Sequence, residues 1–164
     1  MFVDTIFAPG RIEYIKKEKQ KGCIFCAGSS REEGLVVHEE STCFVIMNKY
    51  PYTSGHLMVV PCRHISDIND ADGGELEELM NLTARSVAVL KKAFNPEGFN
   101  IGMNLGKAAG AGVDAHLHMH VVPRWYGDTN FMSTIGGARV IPEDLETTSD
   151  LLRTLFQDIK GDRR

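Results

Sequence analysis

Residues 116–123 read His-Leu-His-Met-His-Val-Val-Pro, and the reading of this octapeptide decides the fold. Apolar residues alternate with His116, His118 and His120 at the two-residue period of a strand. Three imidazoles therefore share one face, with Leu117, Met119 and Val121 on the other. The apolar face needs a covering layer, and the chain supplies one upstream. Over 72–94, Leu76, Leu79, Met80, Leu82, Thr83, Val87, Leu90 and Phe94 recur at three- and four-residue steps, which predicts a helix. Asp72 and the acidic residues after it favour its start and Lys91 and Lys92 its end, while Asn95-Pro96 and Gly98 stop it.

Further strands flank this pair. Runs rich in Val, Ile and Phe at 35–38, 42–48 and 57–61 read as strands, and NKYPYTSG (48–55) as a hairpin-type connection. GFNIGMNL (98–105) reads as a fourth strand and GKAAGAGVDA (106–115) as a glycine-rich turn leading into the histidine strand. Residues 149–160 read as a short C-terminal helix. This order is an α+β pattern: an antiparallel sheet of about five strands, a long central helix and a C-terminal helix. The organisation expected is an N-terminal arm over 1–21, one domain over 22–132 and a C-terminal extension over 133–164.

Composition bounds the function. A chain of 164 residues, 43% hydrophobic and 24% charged, suits a single globular domain. The net charge of −4 argues against broad affinity for nucleic acid or an anionic membrane, though a local cluster of donors can still hold a small anion. No apolar run is long enough to cross a bilayer. The opening MFVDTIFAPGRIEYIKKEK lacks the features of a secretory signal, so the expected location is cytoplasmic. In that reducing compartment Cys43 and Cys62, beside apolar strand runs, are expected to be buried structural thiols. Cys23-Ile-Phe-Cys26 has the two-residue spacing of a zinc knuckle, with a redox pair and plain buried thiols as competing readings.

The histidine face has three readings: a polar exposed strand, a three-histidine metal site, or nucleophilic catalysis by imidazole. The preceding loop, Gly106 to Gly112, offers backbone N–H groups to an anion. Upstream stand Asn48 and the block Ser54-Gly55-His56-Leu57-Met58-Val59-Val60-Pro61.

Together the His-φ-His-φ-His-φ-φ run, the Gly-His block and the order of elements resemble the histidine triad superfamily over roughly residues 22–132. The resemblance implies a fold of antiparallel sheet plus two helices, a homodimer, and chemistry on the α-phosphate of a nucleotide. It makes His118 the nucleophile, with its second ring nitrogen donating to a backbone carbonyl. His120 and His56 would donate to phosphate or leaving-group oxygens. Asn48 would contact the ribose or base pocket and Asn104 a phosphate or the acceptor, with turn and strand-end capping the plain alternative for both. Backbone N–H groups around Gly110 and Gly112 would stabilise phosphate charge. His64 and His116 would complete Cys23 and Cys26 as a Cys2His2 structural Zn²⁺ site.

FAPGRIEYIK (7–16) followed by GCIFC, and HVVPRWYGDTNFM (120–132), resemble a prokaryotic branch related to fragile-histidine-triad hydrolases that includes diadenosine tetraphosphate phosphorylases. This implies dinucleoside polyphosphate substrates, cleaved by hydrolysis or phosphorolysis through a nucleotidyl-histidine intermediate, with Mg²⁺ entering only as the substrate complex. Arg124 would pair with a distal phosphate and Trp125 stack on a purine, against readings as a surface arginine and a packing tryptophan. Hydrolase-type members carry a polar pair before the triad where this chain has Ala111-Gly112-Val113, so the acceptor, water or phosphate, stays open. Nucleoside phosphoramidate hydrolysis, nucleotidyl transfer and a non-catalytic nucleotide- or zinc-binding regulator are the alternatives.

Overall fold

The computed structural model describes residues 22–26, 34–129, 135 and 144–160. The expected arm over 1–21 lies outside them, as does much of the extension over 133–164. Five strands, β1 (Val36–Glu39), β2 (Cys43–Met47), β3 (Leu57–Pro61), β4 (Gly98–Met103) and β5 (Met119–Arg124), form one antiparallel sheet in the order β1-β2-β3-β5-β4. Helix α1 spans Gly73–Phe94 and helix α2 Leu145–Lys160. Among the described residues no helix is long and apolar enough to cross a membrane.

Register assigns the two faces. Val45, Val59, Met119 and Met103 lie in one cross-strand row, and Ile46, Met58, His120 and Gly102 in the next. The Cys43 thiol, on the first of these faces, reaches the Glu75 carbonyl of α1 at 3.8 Å. The helix therefore covers the Val45–Val59–Met119 face, as the apolar half of the histidine strand requires, and His120 faces away from it. All residues of β2 and β3 are buried, so both faces of the sheet centre are covered. Burial pushes the Cys43 thiol up to about 12, an inert structural group. Cys62, expected to match it, is exposed, because it lies one residue past the end of β3.

Helix α1 starts and stops where the sequence signals stand. Asp72 caps it in a reciprocal box with Glu75, and Asn95 ends it in the left-handed conformation at φ 45°. Its buried stripe is Leu79, Leu82, Thr83, Ser86, Val89 and Leu90, whereas Met80 turns outward at 55% exposure. Helix α2 begins four residues before the expected 149, because the Asp144 carboxylate accepts from the Thr147 N–H and hydroxyl and caps an earlier turn. Arg85 of α1, its side chain 8% exposed, pairs with Glu40 at 2.8 Å and donates to the Phe156 carbonyl of α2. That contact fastens the C-terminal helix to α1, beside the start of the sheet.

The histidine segment differs from a continuous strand. Ladder pairing with β3 covers Met119 to Val121, so His116 and His118 precede β5. The register would next set Leu117 against Pro61, which has no N–H to donate. The Leu117 N–H instead donates to the Ile65 carbonyl at 2.6 Å, which pulls residues 116–118 towards the 62–65 turn.

Gly55, just before His56, sits at φ +73°, and a Cβ there would lie 2.8 Å from the Phe94 ring and 3.0 Å from Leu90. Strain and overpacking combine in Gly55→Ala, which is expected to lose about 1–3 kcal/mol of stability. Urea denaturation tests this, and an unchanged midpoint would refute it.

Candidate active site and metal centre

Four elements bring the expected histidines together. His56 leads into β3, His120 lies on β5 beside it, and His116 and His118 come from the segment before β5. His64 sits in the turn after β3. His56 and His116 are fully buried, His118 is 5% exposed and His120 is half-buried. The histidine face is thus enclosed and not a bare surface.

The hydrogen bonds assign the ring protons. His118 Nδ1 lies 2.8 Å from the His116 carbonyl oxygen, which can only accept, so Nδ1 carries the proton and Nε2 a lone pair. The Tyr52 backbone N–H, which can only donate, reaches His56 Nδ1 at 3.1 Å. The His56 proton is therefore on Nε2, which donates to His120 Nδ1 at 2.9 Å. That leaves His120 with its proton on Nε2. His118 and His120 rings meet edge to face at 4.8 Å between centroids. Their neighbourhood thus offers one imidazole lone pair and one imidazole N–H donor.

Both rings are held neutral. Burial lowers the His118 pKa below the ordinary histidine value, opposed by the hydrogen bond to the His116 carbonyl. Burial, with the neighbouring His118 second, takes His120 down to about 4.

The second cluster is Cys23, Cys26, His64 and His116, whose ligand atoms all lie within 4.8 Å of one another. Cys23 Sγ lies 3.2 Å from His116 Nδ1, and Cys26 Sγ lies 3.2 Å from His64 Nδ1 and 3.4 Å from His116 Nδ1. A tetrahedral zinc with bonds of about 2.3 Å to sulfur and about 2.0 Å to nitrogen needs edges of about 3.3–3.8 Å, so the donor set fits such an ion. His116 Nε2 donates to the Pro61 carbonyl at 2.9 Å, which turns the Nδ1 lone pair towards the thiols.

The remaining expected residues are more dispersed in role. Asn48 caps the β2–β3 connection, its Oδ1 accepting from the Tyr50 N–H at 2.9 Å. Asn104 follows directly on Met103, the β4 partner of Met119, and so lies near the level of His118. The Gly110 N–H donates to the Lys107 carbonyl, closing a short 3-10 turn, and is engaged there rather than offered to an anion. Gly112 lies in the same loop. The Arg124 guanidinium is already forked onto Asp128, with Nη2 to Oδ1 at 2.9 Å, and that pair holds the Asp128 carboxyl at about 2. Any phosphate at Arg124 competes with this partner. Trp125, half-buried, donates its backbone N–H to Asp128 at 3.3 Å.

Two aromatic residues of the site were not singled out from sequence. The Tyr52 ring lies 4.6 Å from His56 and 6.1 Å from His120, and Phe25 lies 5.4 Å from His116 and 5.3 Å from His118. Neither stands in a periodic pattern. The one signal was position, inside NKYPYTSG and between the two cysteines.

The family pattern described as the HIT domain matches residues 30–126, well over half the chain. The chain belongs to the HIT family. This HIT protein is 50% identical over 125 residues to a Mycobacterium tuberculosis (strain H37Rv) protein named AP-4-A phosphorylase. The match takes in 76% of this chain and 64% of that one, so this chain spans less than two thirds of that relative's length. Among solved structures, a Zn-bound histidine triad family protein from Mycobacterium smegmatis superposes with TM-score 0.71 at 29% identity, covering 86% of this chain and 97% of that one. The hypothetical histidine triad nucleotide-binding protein of Sulfolobus tokodaii gives TM-score 0.71 at 31% identity, over 87% and 99% of the two chains. These comparisons agree with the expected fold.

Because folding holds His118 and His120 neutral, acid should weaken this HIT domain. The unfolded rings titrate near 6.5, and His120 in the fold near 4. Between those values the unfolded chain binds more protons, so stability rises with pH across the window and is lost as pH falls through it. The denaturation midpoint is expected to drop from pH 6.5 towards pH 4, and less steeply in His120→Gln. Parallel curves for the two proteins would show that His120 is not the source.

Proposed function

We propose that this protein cleaves dinucleoside polyphosphates such as diadenosine tetraphosphate by phosphorolysis, with His118 as the nucleophile. The observation that carries the reading is the tautomer arrangement: the His118 Nε2 lone pair stands beside a neutral His120 that keeps an Nε2 proton. The naming of the 50% identical mycobacterial relative as AP-4-A phosphorylase supports the substrate class and the acceptor.

In the first step His118 Nε2 attacks the α-phosphorus. An N–P bond forms while the bond from phosphorus to the bridging oxygen breaks. His120 Nε2–H donates a hydrogen bond to that oxygen, offsetting its charge as ATP leaves as the anion, and AMP remains on His118 as a phosphoramidate. His118 keeps its Nδ1 proton on the His116 carbonyl, which offsets charge developing on the ring. In the second step an oxygen of inorganic phosphate attacks the same phosphorus, the N–P bond breaks and ADP is released. His56, donating to His120 Nδ1, keeps that donor in its working tautomer. Asn48 and Asn104 are assigned to the nucleoside and phosphate ends, Gly112 to the phosphate loop, and Arg124 and Trp125 to the distal nucleotide.

Cys23, Cys26, His64 and His116 are assigned to a structural zinc. With four protein ligands such an ion would supply rigidity and would leave no open position for substrate. The Zn-bound M. smegmatis neighbour supports the choice of metal.

Incubation with diadenosine tetraphosphate is expected to give ADP plus ATP only when phosphate is present, and AMP plus ATP without phosphate would make the protein a hydrolase. His118→Ala is expected to lose turnover by on the order of a thousandfold or more while remaining folded. Substantial activity in that variant would remove the covalent mechanism.

Cys26→Ser is expected to lower both the zinc-to-protein ratio, measured by mass spectrometry of the metal, and the melting temperature. Unchanged values for both would remove the zinc assignment.

A further inference from the structure

Phe25 stands, beside His116, where the two clusters meet. It lies between Cys23 and Cys26 in the turn that carries both thiols, whose Cys26 N–H donates to the Cys23 carbonyl at 3.2 Å. Its ring is 4% exposed and belongs to the main apolar core. From there it meets the edge of His116 at 79° and lies tilted at 46° to His118, both at little more than 5 Å. The His118 ring is also restrained by the hydrogen bond from Nδ1 to the His116 carbonyl and, on another side, by its edge contact with His120 at 4.8 Å. One hydrogen bond fixes a point on an imidazole and leaves rotation about the side-chain bonds to be limited by packing.

We infer that Phe25 is a positioning residue for the nucleophile: its ring, set by the cysteine pair on either side, holds the His118 imidazole against the His116 carbonyl. The metal ligands and the nucleophile are then coupled by two short routes. His116 contributes a ring nitrogen to one cluster and a carbonyl oxygen to the other. The cysteines contribute the backbone that carries Phe25. This inference rests on the assignment of His118 as nucleophile. A group that positions another acts on the fraction of molecules with the lone pair correctly aimed, and so on kcat, while leaving substrate affinity in place.

The experiment compares wild type, Phe25→Leu and Phe25→Ala as full chains in their metal-loaded state. The ¹⁵N spectrum of the His118 ring gives the proportion of its two neutral tautomers, and kcat and KM for diadenosine tetraphosphate are measured on the same samples together with metal content. The expected result is a single Nδ1–H tautomer in wild type, partial loss in Phe25→Leu and a mixture in Phe25→Ala. The expected fall in kcat for Phe25→Ala is on the order of tenfold or more, with KM little changed. An unaltered tautomer spectrum in Phe25→Ala would overturn the proposal. So would a raised KM at unchanged kcat, which would make Phe25 a substrate contact. So would a kcat loss confined to samples that have lost metal. If Phe25→Ala does not fold, Phe25→Leu decides, and a spectrum and kcat equal to wild type would reject the role. If wild type itself does not turn over the dinucleotide, the substrate reading fails while the ring spectrum still decides this one.

Discussion

The contact on which the site depends is the 2.8 Å hydrogen bond from His118 Nδ1 to the carbonyl oxygen of His116. A peptide oxygen cannot donate, so this bond alone determines which nitrogen of His118 keeps a lone pair. The carbonyl is held in place because the His116 ring is itself fixed, by the Pro61 carbonyl on one nitrogen and the two thiols on the other. Pro61 in turn ends the β3–β5 ladder. The sheet, the cysteine–histidine cluster and the His118 ring thus meet within three residues of chain.

The architecture was legible wherever one period dominated. The capped amphipathic run gave α1 to within a residue, and four strands were foreseen with ends shifted by two residues or fewer, while β5 starts three residues after the expected His116. What was lost were features set by tertiary hydrogen bonds. The ladder stops short of His116 and His118 because Pro61 offers no N–H. Residues 116–118 then bond to the 62–65 turn, a contact remote in sequence. Met80 was placed in the apolar stripe by spacing, yet the helix turns it outward and uses Ser86 and Val89 instead.

The site was legible by residue type and less so by environment. Histidines and cysteines announce themselves, and those that spacing and resemblance grouped are grouped in space. Phe25 and Tyr52 do not, since an aromatic residue in a loop reads as ordinary apolar matter until its neighbours are known. Arg124 shows the opposite difficulty. Its position after the triad suggested an anion contact, while its carboxylate partner stands only four residues further on in a loop without helical periodicity.

The chain of rings from His120 through His56 finishes at the amide of Tyr52. An amide hydrogen does not move on to another acceptor, so the series is a cul-de-sac for protons. It can aim a hydrogen-bond donor but cannot pass a proton along. On the function proposed above, His120 therefore serves departing and incoming groups alike by pointing one and the same N–H at them, and a site that moves no proton of its own treats the two directions of exchange alike.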